Sequence, residues 1–155
     1  AIAGTRGPNV LNGTATTSEI WYAEVPTGTS GDVAVTFAGA NQRCAINLYS
    51  IISPSSAAPT VTATSTANDT VTSGSISIPA GGAAIMCCYT TTGGPATPTG
   101  TPAGFDNVDL NSNLIATQQV WSIHSNAGAF SGTQTLTSSF TASTSNAACF
   151  AVWVP

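Results

Sequence analysis

Residues 32–52 constrain the fold more than any other stretch. Val33, Val35 and Phe37 alternate with smaller or polar side chains. The same two-residue period returns at Cys44, Ile46 and Leu48, with Gly39, Asn41 and Gln42 between the two runs. Period two is the mark of a half-buried strand, and glycine and amide residues between two such runs are turn chemistry. The pattern predicts a β-hairpin with one apolar face. Such a hairpin is marginal in water until more sheet covers that face.

The rest of the chain is written in the same vocabulary. Strand patterns are expected over residues 14–25, 60–65, 69–78, 114–124, 133–141 and 147–154. Residues 83–89 form a continuous apolar run, as a strand buried on both faces would. Residues 79–82 read as a tight turn, and residues 90–104, rich in Gly and Pro, as a long loop. No stretch has a convincing helical period. Eight or nine short strands joined by Gly-, Pro- and Thr-rich segments predict an all-β fold: an antiparallel two-sheet β-sandwich of jelly-roll type. The length, 155 residues, suits one domain. Residues 14–155 are expected to form that domain, with 1–13 as an N-terminal arm or linker. An internal repeat is also suggested: Trp21, Phe37 and Cys44 have counterparts in Trp121, Phe140 and Cys149.

Charge narrows the function. Only 5% of residues are charged, there is no Lys, Arg6 and Arg43 are the only basic side chains, and the net charge is −4. A nucleic-acid interface needs a basic footprint, and a polybasic membrane contact needs one too, so neither partner is expected. No apolar run approaches the roughly 20 residues of a spanning helix. A chain with so little charge has weak protection against association. It is expected to live outside the cytoplasm, inside an assembly, or both.

The chemistry-bearing residues are few, and no cofactor motif is present. The four cysteines lie in apolar runs, as buried free thiols would; Cys44–Cys149 is the best disulfide candidate because the two occupy matching places in the suggested repeat. Asp106, Asp109, Asn111 and Asn113 form the densest oxygen cluster and the one metal candidate, for calcium. Leu114 stands where a calcium loop of the EF-hand type has glycine, and Val120 where it has glutamate, so a solvated turn is the competing account. The same two aspartates could in principle serve a glycosidase, but they are close in sequence and lack aromatic company. His124, the only histidine, reads as a residue at a strand end. Arg43, Trp121 and Trp153 are interface or ligand candidates, with Asp32 as a partner for Arg43; tryptophans inside apolar strands belong more often to a core or an interface than to a sugar platform.

Four segments taken in order carry a resemblance: residues 33–52, the Ser-Ile-Pro-Ala-Gly-Gly-Ala-Ala-Ile-Met run at 77–86, Pro-Ala-Gly-Phe-Asp at 102–106, and Ser-Asn-Ala-Ala-Cys-Phe-Ala-Val-Trp at 145–153. Together they resemble a Gly/Thr/Ala-rich β-sandwich module of structural proteins of tailed bacteriophages and gene transfer agents. The resemblance implies a virion component, such as a capsid decoration or cement protein, a head fibre or a tail-associated domain, and it brings no catalytic residue. The expectation is a non-enzymatic virion protein that associates with copies of itself, as a trimer or a lattice, and docks on major capsid or tail proteins. The alternative is a carbohydrate- or receptor-binding adhesive module, on a tail fibre or secreted, with a host-surface glycan as partner.

Overall fold

The computed structural model describes residues 2–12, 16–25, 32–40, 43–52, 54–56, 58–66, 70–78, 80–92, 98–99, 107–115, 118–125, 132–140 and 143–154. Among them every regular element is a strand: β1 (Thr5–Asn12), β2 (Thr16–Tyr22), β3 (Thr60–Thr66), β4 (Thr70–Ile78), β5 (Ala83–Thr92), β6 (Pro98–Thr99), β7 (Asn107–Ile115), β8 (Gln118–His124), β9 (Gly132–Phe140) and β10 (Ser143–Trp153). All pairings are antiparallel. A five-stranded sheet has the order β3-β10-β5-β8-β7, a three-stranded sheet the order β4-β9-β6, and β1 and β2 pair alone.

The central strands of the five-stranded sheet, β5 and β10, are covered on both faces. On one face Ala84, Met86 and Cys88 of β5, Ala148, Phe150 and Val152 of β10 and Ile123 of β8 form a cluster with Ile78 of β4, so β4 of the three-stranded sheet reaches this side. On the other face Ile85, Ala151 and Trp153 meet Ile20 and Tyr22 of β2 together with Tyr49 and Ile51. This explains the continuous apolar run at 83–89. A strand covered on one face alternates; a strand covered on both must be apolar at successive positions. The closing strand β10 follows the same rule, and residues 147–153 are all buried.

The structure departs from the expected hairpin at residues 32–52. The described part of this stretch contains no strand. It runs as irregular chain, and only its last part reaches the core, through Tyr49 and Ile51. Asn47 is tied to β8 by a 2.6 Å hydrogen bond from its Nδ2 to Ser122 Oγ. The suggested repeat fails with it: the stretch after Trp21 is irregular, whereas the stretch after Trp121 contains β9 and β10. The first residues also differ from expectation. Thr5–Asn12 is a strand, not an arm, and packs over β10 and β3.

Two local features fix the ends of these strands. The register of β1 and β2 shifts between Arg6 and Asn9. Gly7 and Pro8 occupy that bulge, where a missing N–H is tolerated. A Cβ on Gly7 would sit 2.8 Å from the Ile20 carbonyl oxygen, so glycine is required for this approach. Beyond the last β5–β8 pair, Ser125 continues the ladder: its N–H donates to the Ala84 carbonyl, and its Oγ accepts from the Ala84 N–H, each at 2.9 Å. Both residues are buried. Ser125→Ala strands the Ala84 N–H away from water, and unfolding in urea is expected to show a loss of about 1–3 kcal/mol; no change would mean that water replaces the hydroxyl.

Candidate functional site

The outer face of the β1–β2 hairpin carries the best-organised polar group among the described residues. Strand alternation sends Ser18, Ile20 and Tyr22 toward the five-stranded sheet and leaves Glu19 and Trp21 on the other side. Arg6 stands opposite Trp21 in the register. Its guanidinium grips Glu19 at both oxygens, Nε to Oε2 at 3.2 Å and Nη2 to Oε1 at 2.8 Å. Glu19 Oε2 also accepts from the Trp21 indole Nε1 at 2.8 Å. The indole is 57% exposed, so an aromatic face is presented to solvent with its polar edge already satisfied. An exposed ion pair adds little stability. Its effect here is orientation, because the carboxylate is shared between Arg6 and Trp21. Ordinary strand alternation in Thr17, Glu19 and Trp21 points to an exposed face at this place; the pairing with Arg6 was hidden because residues 1–13 read as an arm.

The irregular stretch exposes a series of apolar side chains. Val33, Val35, Phe37, Ile46, Leu48 and Ile52 are each 48% exposed or more. Arg43 is exposed in the same stretch, and among the described residues the one ion pair is Arg6–Glu19, so Arg43 and Asp32 do not pair.

The expected site residues scatter. Trp153 is buried in the core, and the side chain of Trp121 lies outside the described residues, as does the whole of Asp106. Asp109, Asn111 and Asn113 fall on β7, an edge strand paired with β8. A hydrogen-bonded strand replaces the open loop on which the calcium reading relied. Cys44 and Cys149 are both free thiols, one exposed in the irregular stretch and the other fully buried on β10. The matching places assigned to them vanish with the repeat.

His124 ends β8 and is half-buried, its ring meeting Tyr49 edge-on at 6.0 Å. Together with Ile51, Ala83, Ile85 and Ser125 they line a shallow depression of about 330 Å³. Among the described residues, no carboxylate lines it. The Ser125 hydroxyl is engaged with the Ala84 N–H. Compared with known proteins, the chain matches no family model, no curated protein and no solved structure.

Proposed function

We propose that the chain is a non-catalytic structural protein of a bacteriophage virion surface, a capsid decoration, cement or head-fibre component that self-associates and docks on capsid or tail proteins. The exposed apolar stretch at residues 32–52 carries this reading. Isolated apolar side chains on a surface need no explanation, but a run of them points to an interaction surface. Here the run stands in a chain with 5% charged residues, which has little else to keep copies apart. The strand order supports a jelly-roll β-sandwich as the scaffold. From β3 to β6 the chain alternates between the five- and three-stranded sheets, and from β8 to β10 it does so again, bringing the last strand, β10, beside β3. Pairing of strands far apart in sequence, as of β10 with β3, is in keeping with the long connections of Greek-key folds.

The direct test is quantitative mass spectrometry of purified particles from the source culture, counting this chain against the major capsid protein. Hundreds of copies are expected for a decoration role and a handful for a fibre or tail tip; absence from particles overturns the proposal. Self-association has its own prediction. Fully burying an apolar side chain is worth about 1.5–3 kcal/mol. Replacing Phe37 and Leu48 together with Ser is therefore expected to weaken association roughly a hundredfold or more, read by light scattering on a column, with the circular dichroism unchanged. A wild-type chain that stays monomeric at every concentration would count against it.

The exposed Trp21 favours a second reading, adhesion to a host-surface glycan. Sugar rings stack on such an aromatic face, and Arg6 and Glu19 stand beside it as a donor and an acceptor. Trp21→Ala that abolishes retention on immobilised host polysaccharide while leaving particle copy number intact would establish this role; unchanged retention would remove it.

A further inference from the structure

Two of the four thiols stand side by side. Cys87 of β5 and Cys149 of β10 are register partners in the centre of the five-stranded sheet. Directly opposed residues of an antiparallel ladder have Cα atoms about 4.5–5.5 Å apart, inside the roughly 4.4–6.8 Å span of disulfides. Opposed residues also share a face, the one covered by β2. Both sulfurs contact the same residue there: the Cys149 thiol donates to the Ser18 carbonyl at 3.0 Å, and Cys87 Sγ lies 3.1 Å from Ser18 Oγ. The Cys87 thiol also reaches the Glu19 carbonyl at 3.5 Å.

The two thiols are not equivalent. Cys149 is fully buried, and Cys87 is half-buried. Hydrogen bonding from Cys149, and secondarily from Ser18, lowers the Cys87 pKa despite its desolvation. The same contact with Cys87, and then burial, holds Cys149 protonated. The neighbouring Cys88 points to the opposite face, where burial pushes its thiol well up. Cys87 is the more accessible of the two to a reagent, which assigns it as the attacking sulfur and Cys149 as the resolving one.

We propose that Cys87 and Cys149 form a redox-active thiol pair that closes to a cross-strand disulfide when it meets a low-molecular-weight disulfide. The Cys87 thiolate attacks one sulfur of the reagent, forms a mixed disulfide and expels one thiolate. The Cys149 thiol loses its proton and attacks the Cys87 sulfur, forming the Cys87–Cys149 bond and expelling the second thiolate. The protein loses two electrons and two protons, and the reagent leaves as two thiols. Closing the bond withdraws both S–H donors from the Ser18 and Glu19 carbonyls, so oxidation is felt by β2. The proposal is independent of the virion reading.

The test uses the full chain with Cys44→Ser, which removes the exposed thiol without touching the core. Folded protein is incubated with oxidised glutathione, the remaining thiols are blocked with N-ethylmaleimide, and peptides are mapped without reduction. A Cys87–Cys149 linked peptide that disappears with dithiothreitol is expected, with Cys88 recovered as the maleimide adduct. In the Cys44→Ser, Cys149→Ala variant, glutathione is expected to remain on Cys87. Amide exchange in β2 is expected to quicken on oxidation. Failure to form the linked peptide, under conditions in which Cys44 of the wild-type chain is fully glutathionylated, overturns the pair; so does a link that forms only in denaturant. Unchanged exchange in β2 overturns its coupling to the hairpin.

Discussion

Phe150→Ala is expected to lower the unfolding free energy by about 3–5 kcal/mol, the range for truncating a buried aromatic side chain. Phe150 is fully buried on β10, between β3 and β5, and opposes Met86 in the ladder. It meets Ile78 of the three-stranded sheet within one cluster, so it joins the two sheets. The cost has two parts, the lost transfer of the ring from water and the cavity left among side chains that relax only partly. A loss of this size is a large fraction of the roughly 5–15 kcal/mol that domains have. Urea unfolding checks it: the midpoint should fall with the slope unchanged. Ile123→Val, which deletes one methylene in the same cluster, should cost only about 0.5–1.5 kcal/mol. Equal effects of the two would place Phe150 outside the sheet-to-sheet core.

The residues around Phe150 are also where sequence reading succeeds. The apolar runs that became β5 and β10 admit no solvent-facing position, and a strand buried on both faces is the only short element that satisfies such a run. The tight turn expected at 79–82 is present at 80–81, where Gly81 has φ 77°, a left-handed conformation that glycine adopts without strain. Chain entry into β5 is therefore legible from side chains and turn chemistry alone.

Reading fails at residues 32–52 for an equally physical reason. Alternation reports which side chains share a face; it does not supply a partner strand for the backbone. Val33, Val35 and Phe37 keep the period of a strand, yet their segment joins no ladder and leaves them exposed. The antiparallel hairpin of the first fifty residues is instead the one between β1 and β2. Gly4, Gly7, Pro8 and Asn9 disguise β1 as a linker, because the composition of a bulged strand and that of a loop are the same. The polar cluster of Arg6, Glu19 and Trp21 was hidden by the same disguise. The Cys87–Cys149 pair was hidden differently. Register between β5 and β10, separated by about fifty residues of sequence, is fixed by the burial of whole faces and cannot be counted off along the chain.

Trp153→Ala is expected to cost a similar amount, about 3–5 kcal/mol, but to distribute it differently. Trp153 ends β10 on the face opposite Phe150 and is 7% exposed. With Ile85 and Ala151 it forms the surface on which Ile20 and Tyr22 of β2 and Tyr49 and Ile51 of the irregular stretch pack. Just beyond it, the Ser55 N–H donates to the Val154 carbonyl at 3.1 Å, so the segment after Ile52 is tied to the same end of the strand. These elements enter no ladder of the five- or three-stranded sheet, and side-chain packing on this face is a main attachment. Removing the indole should therefore release β1, β2 and the stretch around Tyr49 before the two larger sheets open. Local opening of this kind is read by hydrogen exchange. In Trp153→Ala, amides of β2 should exchange much faster while those of β5 and β8 keep most of their protection; in Phe150→Ala, protection should fall throughout the five-stranded sheet. Uniform loss in both variants would show that the hairpin and the sheets unfold as a single cooperative unit, and the layered account of the core would then be wrong.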